Sequence, residues 1–115
     1  MKVGIIGAMA SEVALLKEQL SEAQVTRVAG MEFCEGALGG TPVVVVQCGI
    51  GKVNAAITTQ MMIDRFAVDR IINTGIAGAV HHALKVLDVV ISRELCYHDY
   101  NARFLRDYPP YIDGI

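Results

Sequence analysis

Three times between Lys2 and Gly78, a short β-branched apolar run stops at a glycine-rich turn: Lys2–Gly7, Thr41–Cys48 before Gly49-Ile50-Gly51, and Arg70–Thr74 before Gly75-Ile76-Ala77-Gly78. Such runs read as buried strands. The solid apolar stretch Val43–Val46 is expected of a strand covered on both faces. Helical patterns follow the first two turns. After Ser11, a plausible N-cap, Val13, Leu16 and Leu20 fall at helical spacing, with Lys17, Glu18 and Glu22 turned to water. From about Lys52 to Phe66, the residues Val53, Ala56, Ile57, Gln60 and Met61 share one face.

Between these units lie candidate strands Val25–Ala29 and Met31–Leu38, the latter joined to Thr41–Cys48 by Gly39-Gly40, a two-residue hairpin signal. Val86–Ser92 reads as another buried strand, and the pattern dissolves beyond Tyr97. Strands alternating with helices, plus a hairpin, predict an α/β fold with a mixed sheet. In open α/β sheets ligands bind outside the carboxyl ends of the strands, so the three glycine turns are expected to line one pocket.

The chain has 115 residues, enough for one small domain. At 53% hydrophobic content it has more apolar surface than a domain this short readily covers, so it is expected to need a partner or more chain. A net charge of −2 and no basic patch exclude the electrostatic footprint of a nucleic-acid binder, and without tryptophan a base-stacking platform is not expected. No segment approaches the roughly 20 apolar residues of a membrane span. Cys34, Cys48 and Cys96 form no Cys-x-x-Cys motif, and their odd number and wide spacing suit a reducing compartment, the cytoplasm. All three are expected to be buried small hydrophobes, and Met61-Met62 core and interface filling.

No dinucleotide or phosphate loop is present. Gly4 and Gly7 do not make G-x-G-x-x-G, position 54 is Asn after Gly49-x-Gly51, and Lys52 is not in a P-loop. His81-His82 reads as an exposed loop pair rather than a metal site, and His98-Asp99 as structural or substrate-lining rather than a catalytic dyad.

Five segments in order carry a resemblance. They are Gly4-Ile5-Ile6-Gly7-Ala8-Met9 with Glu12; Cys48 through Ala56; Ile71 through Gly78; Leu84-Lys85-Val86 with Asp88-Val89-Val90; and Tyr97-His98-Asp99. Together they resemble bacterial 5′-methylthioadenosine/S-adenosylhomocysteine nucleosidases, over nearly the whole chain to Asp99. The resemblance implies a three-layer α/β/α fold with a mixed central sheet, as in the purine nucleoside phosphorylases. It implies a homodimer whose pocket borrows residues from its neighbour, a small thio-nucleoside substrate, a place in methionine salvage, and no cofactor or metal. It also implies that residues 1–115 are the N-terminal part of a single, truncated nucleosidase domain, inactive by itself. The part beyond would hold a ribose-binding glutamate and the aspartate that protonates the purine.

The resemblance gives Glu12 the role of orienting and deprotonating the attacking water. A position in the first helical turn favours the carboxylate through the helix dipole, partial burial works the other way, and the sequence leaves the balance open. The plain alternative is a solvated acid at a helix start. Met9 and Ile50 match the apolar contacts to the 5′-alkylthio ribose. Gly78 matches a close approach of backbone to ligand, and Phe104 is the candidate for the borrowed aromatic. Three departures stand out: Ile76 where a serine is usual, Ala79 where a second glycine is common, and Tyr100–Phe104 in place of the usual aromatic stretch. A phosphorylase, a futalosine-type hydrolase and a non-catalytic adenine-nucleoside-binding or oligomerising module remain the alternatives.

Overall fold

In the computed structural model, which describes residues 1–95, five strands and two helices follow one another. They are β1 (Val3–Gly7), α1 (Ala10–Glu18), β2 (Ser21–Val28), β3 (Met31–Leu38), β4 (Thr41–Gln47), α2 (Lys52–Phe66) and β5 (Arg70–Asn73). All belong to the first of two compact units, Met1–Gly78. The sheet order is β2-β3-β4-β1-β5, with β1 parallel to β4 and β5 and with β3 antiparallel to its neighbours β2 and β4. The mixed sheet expected from the sequence is therefore present.

Side-chain alternation along β1 and β4 assigns the two faces. Val3, Ile5, Val43 and Val45 point to one side and pack with Val13, Leu16 and Leu20 of the α1 segment. Ile6, Val44 and Val46 point to the other, with Phe33, Met62 and Phe66. Each strand thus buries both faces, one under each helix, which makes three layers and explains an unbroken valine run. The rings of Phe33 and Phe66 stack at 4.6 Å between centroids, fastening the end of α2 to β3.

The face that α2 turns to the sheet differs from the expected one. Thr58, Met62 and Phe66 are buried, whereas Val53 is 72% and Ile57 48% exposed. The small residue Thr58 lets the helix approach, and its hydroxyl donates to the Met31 sulfur at 3.3 Å. The more hydrophobic stripe is left on the outer face.

Gly39-Gly40 forms the expected hairpin turn, with φ of 55° and 81°. The β2–β3 connection is a second tight turn at Ala29-Gly30, also with two positive φ values, where the sequence reading ran the strand on to Ala29. β2 starts earlier than expected because it is an edge strand exposed on both faces, and Ser21–Gln24 carries no alternation to betray it. The α1 cap is Met9 rather than Ser11, which lies inside the first turn.

From Ala79 onward the described residues form turns. Leu84 N–H donates to His81 O and Asp88 N–H to Lys85 O, both at 3.1 Å. The His81 and His82 rings are exposed and stack on each other at 4.5 Å. The strand expected over Val86–Ser92 is absent. The Lys85–Asp88 turn, with Leu87 at φ 77°, bends the chain within it, and among the described residues no strand pairs with it. Cys96, His98, Asp99 and Phe104 lie outside the described residues.

Candidate active site

The parallel trio β4, β1 and β5 ends at one edge of the sheet, and the ladder runs on into the turns. Cys48 N–H donates to Gly7 O, and Thr74 N–H to Ile6 O, each at 2.9 Å. The three glycine turns are therefore brought side by side, as the pattern of runs and glycines predicts.

Glu12 projects from the first turn of α1 into this cluster. Its Oε2 accepts the Met9 N–H at 2.9 Å and its Oε1 accepts the Ile76 N–H at 3.1 Å. The first bond is the reciprocal arm of a capping box, in which the third helical residue satisfies an N–H at the cap. The second reaches across to the turn after β5. Two glycines make room. A Cβ on Gly75 would stand 2.5 Å from Glu12 Oε1, and one on Gly7 would stand 2.7 Å from Val13 Cγ1 and 3.1 Å from Glu12 Cβ.

These bonds resolve the balance that the sequence leaves open. The Met9 and Ile76 amides hold the Glu12 carboxyl below the ordinary carboxylate range, with a smaller contribution from Ala8, against an opposing effect of burial. Glu12 is thus an ionised acceptor at neutral pH. Each oxygen spends one acceptor site on backbone and keeps capacity for another donor, such as water. Cys48, buried beneath the second turn, responds the opposite way. Burial pushes its thiol up, its own backbone amide opposes, and the nearby Glu12 charge adds to the rise. Its Sγ donates to Gly49 O at 3.2 Å, so the group is a neutral thiol.

The second turn is built around Gly49 and Gly51, at φ 85° and 107°, values that side chains rarely adopt. Between them Ile50 is lifted to 76% exposure. Asn54, in the first turn of α2, donates from Nδ2 to Ile50 O at 2.8 Å and lies against Gly49. Met9 is half-buried at the α1 cap. Gly78 is exposed, and a Cβ there would meet nothing within 4 Å.

Sequence reading singled out Glu12, Met9, Ile50 and Gly78, but not the groups that hold them: the Met9 and Ile76 amides, Gly7, Gly75 and Asn54. Backbone donors carry no side-chain signature. The glycine pairing was the available signal. Among the described residues, no three His, Cys, Asp or Glu side chains gather as a metal set, and no helix is long and apolar enough to cross a membrane.

Residues 2–113 match the model of the phosphorylase superfamily. The chain belongs to this superfamily. Among its relatives in it, a 5′-methylthioadenosine/S-adenosylhomocysteine nucleosidase of Colwellia psychrerythraea is 57% identical over 99 residues, which is 86% of this chain and 41% of the relative. A crystal structure of the nucleosidase from that organism in complex with adenine superposes with a TM-score of 0.93 at 51% identity, covering 97% of this chain and 46% of that one. Futalosine hydrolase of Helicobacter pylori superposes with a TM-score of 0.85 at 30% identity, covering all of this chain and 50% of that one. The chain thus spans about half the length, or less, of the superfamily members it matches, and over that span it shares their fold.

Proposed function

We propose that this chain carries the water-activating half of a nucleosidase site that hydrolyses the N-glycosidic bond of 5′-methylthioadenosine and S-adenosylhomocysteine. The observation that carries the reading is the Glu12 carboxylate, fixed by amides from two different glycine turns at the carboxyl edge of the parallel strands. An anion with spare acceptor capacity is suited to orient a water and take its proton. The water oxygen bonds to the anomeric carbon, the carbon–nitrogen bond breaks, and adenine leaves with the electron pair and takes up a proton. The products are adenine and the thio-ribose. Met9 and Ile50 line the 5′-alkylthio side, Gly78 lies against the nucleoside, and Phe104 serves as the aromatic lent to a neighbouring subunit. The second carboxylate and the purine proton donor are assigned to the part of the relatives that this chain does not span, so these 115 residues by themselves are expected to show no turnover.

In this reading the chain is the N-terminal part of a single nucleosidase domain, acts in the cytoplasm in methionine salvage, and works as a homodimer. The outer stripe of α2, with Val53, Ile57 and Ile63 exposed, is the apolar surface that supports pairing. An Ile57→Glu variant that sediments like the unaltered protein would remove that support.

Phosphorolysis is disfavoured by the charge at the first turn. Glu12 would repel phosphate, and the turn carries no arginine to hold it. The superposition with futalosine hydrolase favours that activity as the second reading. The deciding assay is release of the free purine base, adenine from methylthioadenosine and hypoxanthine from futalosine, by the chain and by the chain joined to the remaining half of a relative, each with Glu12 and with Glu12→Gln. Adenine release that depends on Glu12 in the joined protein supports the proposal. Release that is indifferent to Glu12→Gln, or that requires phosphate, would overturn it. Nucleoside binding without turnover by the joined protein would mark the chain as a binding module.

A further inference from the structure

Beside the second glycine turn, on its β3 side, lies an open depression of about 580 Å³ that the reaction above does not use. Lys17, Arg27, Glu32, Gln47, Cys48 and Gly49 line it. Cys48 and Gly49 are shared with the turn that raises Ile50, so the depression begins where the proposed 5′-alkylthio contact ends.

Its charges are unusual in their pairing. Arg27 donates from Nε and Nη2 to Glu32 Oε1 across the β2–β3 ladder. That leaves Arg27 with unused donors and Glu32 with a second oxygen facing solvent. Lys17 is half-buried in the last turn of α1, and among the described residues it makes no ion pair and no hydrogen bond. A lysine without a counter-ion, beside a guanidinium and a carboxylate already joined to each other, leaves one net positive charge at the depression. A group with both an anion and a cation on one carbon fits this set. Its carboxylate would meet Lys17 and the free edge of Arg27, and its ammonium would meet Glu32.

We propose that this depression receives the zwitterionic amino-acid end of a 5′-thioether nucleoside, with Lys17 as the residue that distinguishes such a substrate from one ending in a methyl group. The inference rests on the nucleosidase reading above. S-Adenosylhomocysteine carries such an end and methylthioadenosine does not, so the pair of ligands supplies its own control.

The experiment is a titration of both ligands against the protein with Lys17, Lys17→Gln and Lys17→Glu, repeated at two salt concentrations, with KM ratios where turnover is measured. The expected result is a loss of about fivefold in affinity for S-adenosylhomocysteine with Lys17→Gln, the upper scale of a solvent-accessible ion pair, and a greater loss with Lys17→Glu. Methylthioadenosine should bind all three alike. The preference for S-adenosylhomocysteine should also weaken as salt rises. Lys17 further interacts with the α1 dipole, but a loss of helix stability would weaken both ligands equally. Equal shifts for both ligands, or none for either, would overturn the assignment while leaving the nucleosidase reading intact. Failure of the chain joined to the remaining half of a relative, with Lys17 intact, to bind either nucleoside would sink both.

Discussion

Gly75 and Glu12 are so close that a methyl group on the glycine would stand 2.5 Å from a carboxylate oxygen. Gly75 is not in the left-handed region of backbone space, so what requires glycine there is the carboxylate and not the chain conformation. The two residues are 63 positions apart, and the short loop after β5 is shaped around a side chain from α1.

Gly75→Ala is therefore expected to damage the site more than the fold. Displacing Glu12 by about 1 Å corresponds to a loss on the order of 100-fold in turnover. The loop is exposed, so the melting temperature should change little. Steady-state assay of the chain joined to the remaining half of a relative, beside a thermal melt, checks this, and Gly7→Ala is the contrast. Its new methyl would meet Val13, which is buried, and overpacking there is expected to cost about 1–3 kcal/mol of stability.

The pH dependence of stability should carry the sign of a depressed carboxyl. The folded state holds Glu12 below its usual value through the Met9 and Ile76 amides, so the folded protein binds that proton less readily than the unfolded chain. The resulting stabilisation is complete above the unfolded pKa and is lost as pH falls through the folded one. Urea unfolding of the native protein and of Glu12→Gln, from neutral to acid pH, should give two curves that converge toward acid. Curves that diverge toward acid would mean that the amides do not favour the anion.

Asn54→Ala should loosen Ile50 without touching Glu12. The lost bond from Nδ2 to Ile50 O leaves the turn between Gly49 and Gly51 free to move. In the chain joined to the remaining half of a relative, the expected kinetic signature is a KM for methylthioadenosine raised by about threefold or more with kcat nearly unchanged, as when binding common to ground and transition states is removed. A fall in kcat at constant KM would place Asn54 in the chemical step instead.

Two truncations on α2 test which of its faces packs. Met62→Ala, in the contact with the sheet, should cost about 2–5 kcal/mol. Val53→Ala, on the exposed stripe, should change the stability of the isolated chain by no more than about 0.5 kcal/mol. Chemical denaturation of both variants decides it, and comparable losses would mean that the outer stripe is covered as well.

That contrast also marks where reading the sequence succeeds. The extents of β3 and α2 and the Gly39-Gly40 turn follow from apolar runs and glycine pairs, because local sterics set those boundaries. The packed face of α2 does not, because Val53 and Ile57 outweigh Thr58 in any hydrophobic pattern although Thr58 is the residue small enough to approach the sheet. The sequence shows β2 too short, because Ser21–Gln24 lacks alternation. Val86–Ser92 is apolar enough for a strand, yet a strand is made by its neighbour as much as by its own residues. In the site, Glu12 is singled out by the family resemblance, since a glutamate in a first helical turn reads by itself as a solvated acid. The amides that fix its charge state belong to whichever residues occupy those places, and Ile76 supplies one of them from its backbone.

The bond between Ile76 and Glu12 also says when the site comes into being. It spans 64 positions, and the crossover through β4, α2 and β5 lies between its partners. α1 can form beside β1 early, since that contact is local, but the carboxylate waits for β5 to dock along β1 through Asp69 N–H to Lys2 O and Thr74 N–H to Ile6 O. Closing a loop of that length costs entropy before any contact repays it, so docking belongs to the slow part of folding. A chain caught with β1, β3 and β4 already paired would have most of its core and a Glu12 still free to swing. Orientation of that one side chain is thus a late event in the folding of the sheet, and its protonation state reports whether the last parallel strand is in place.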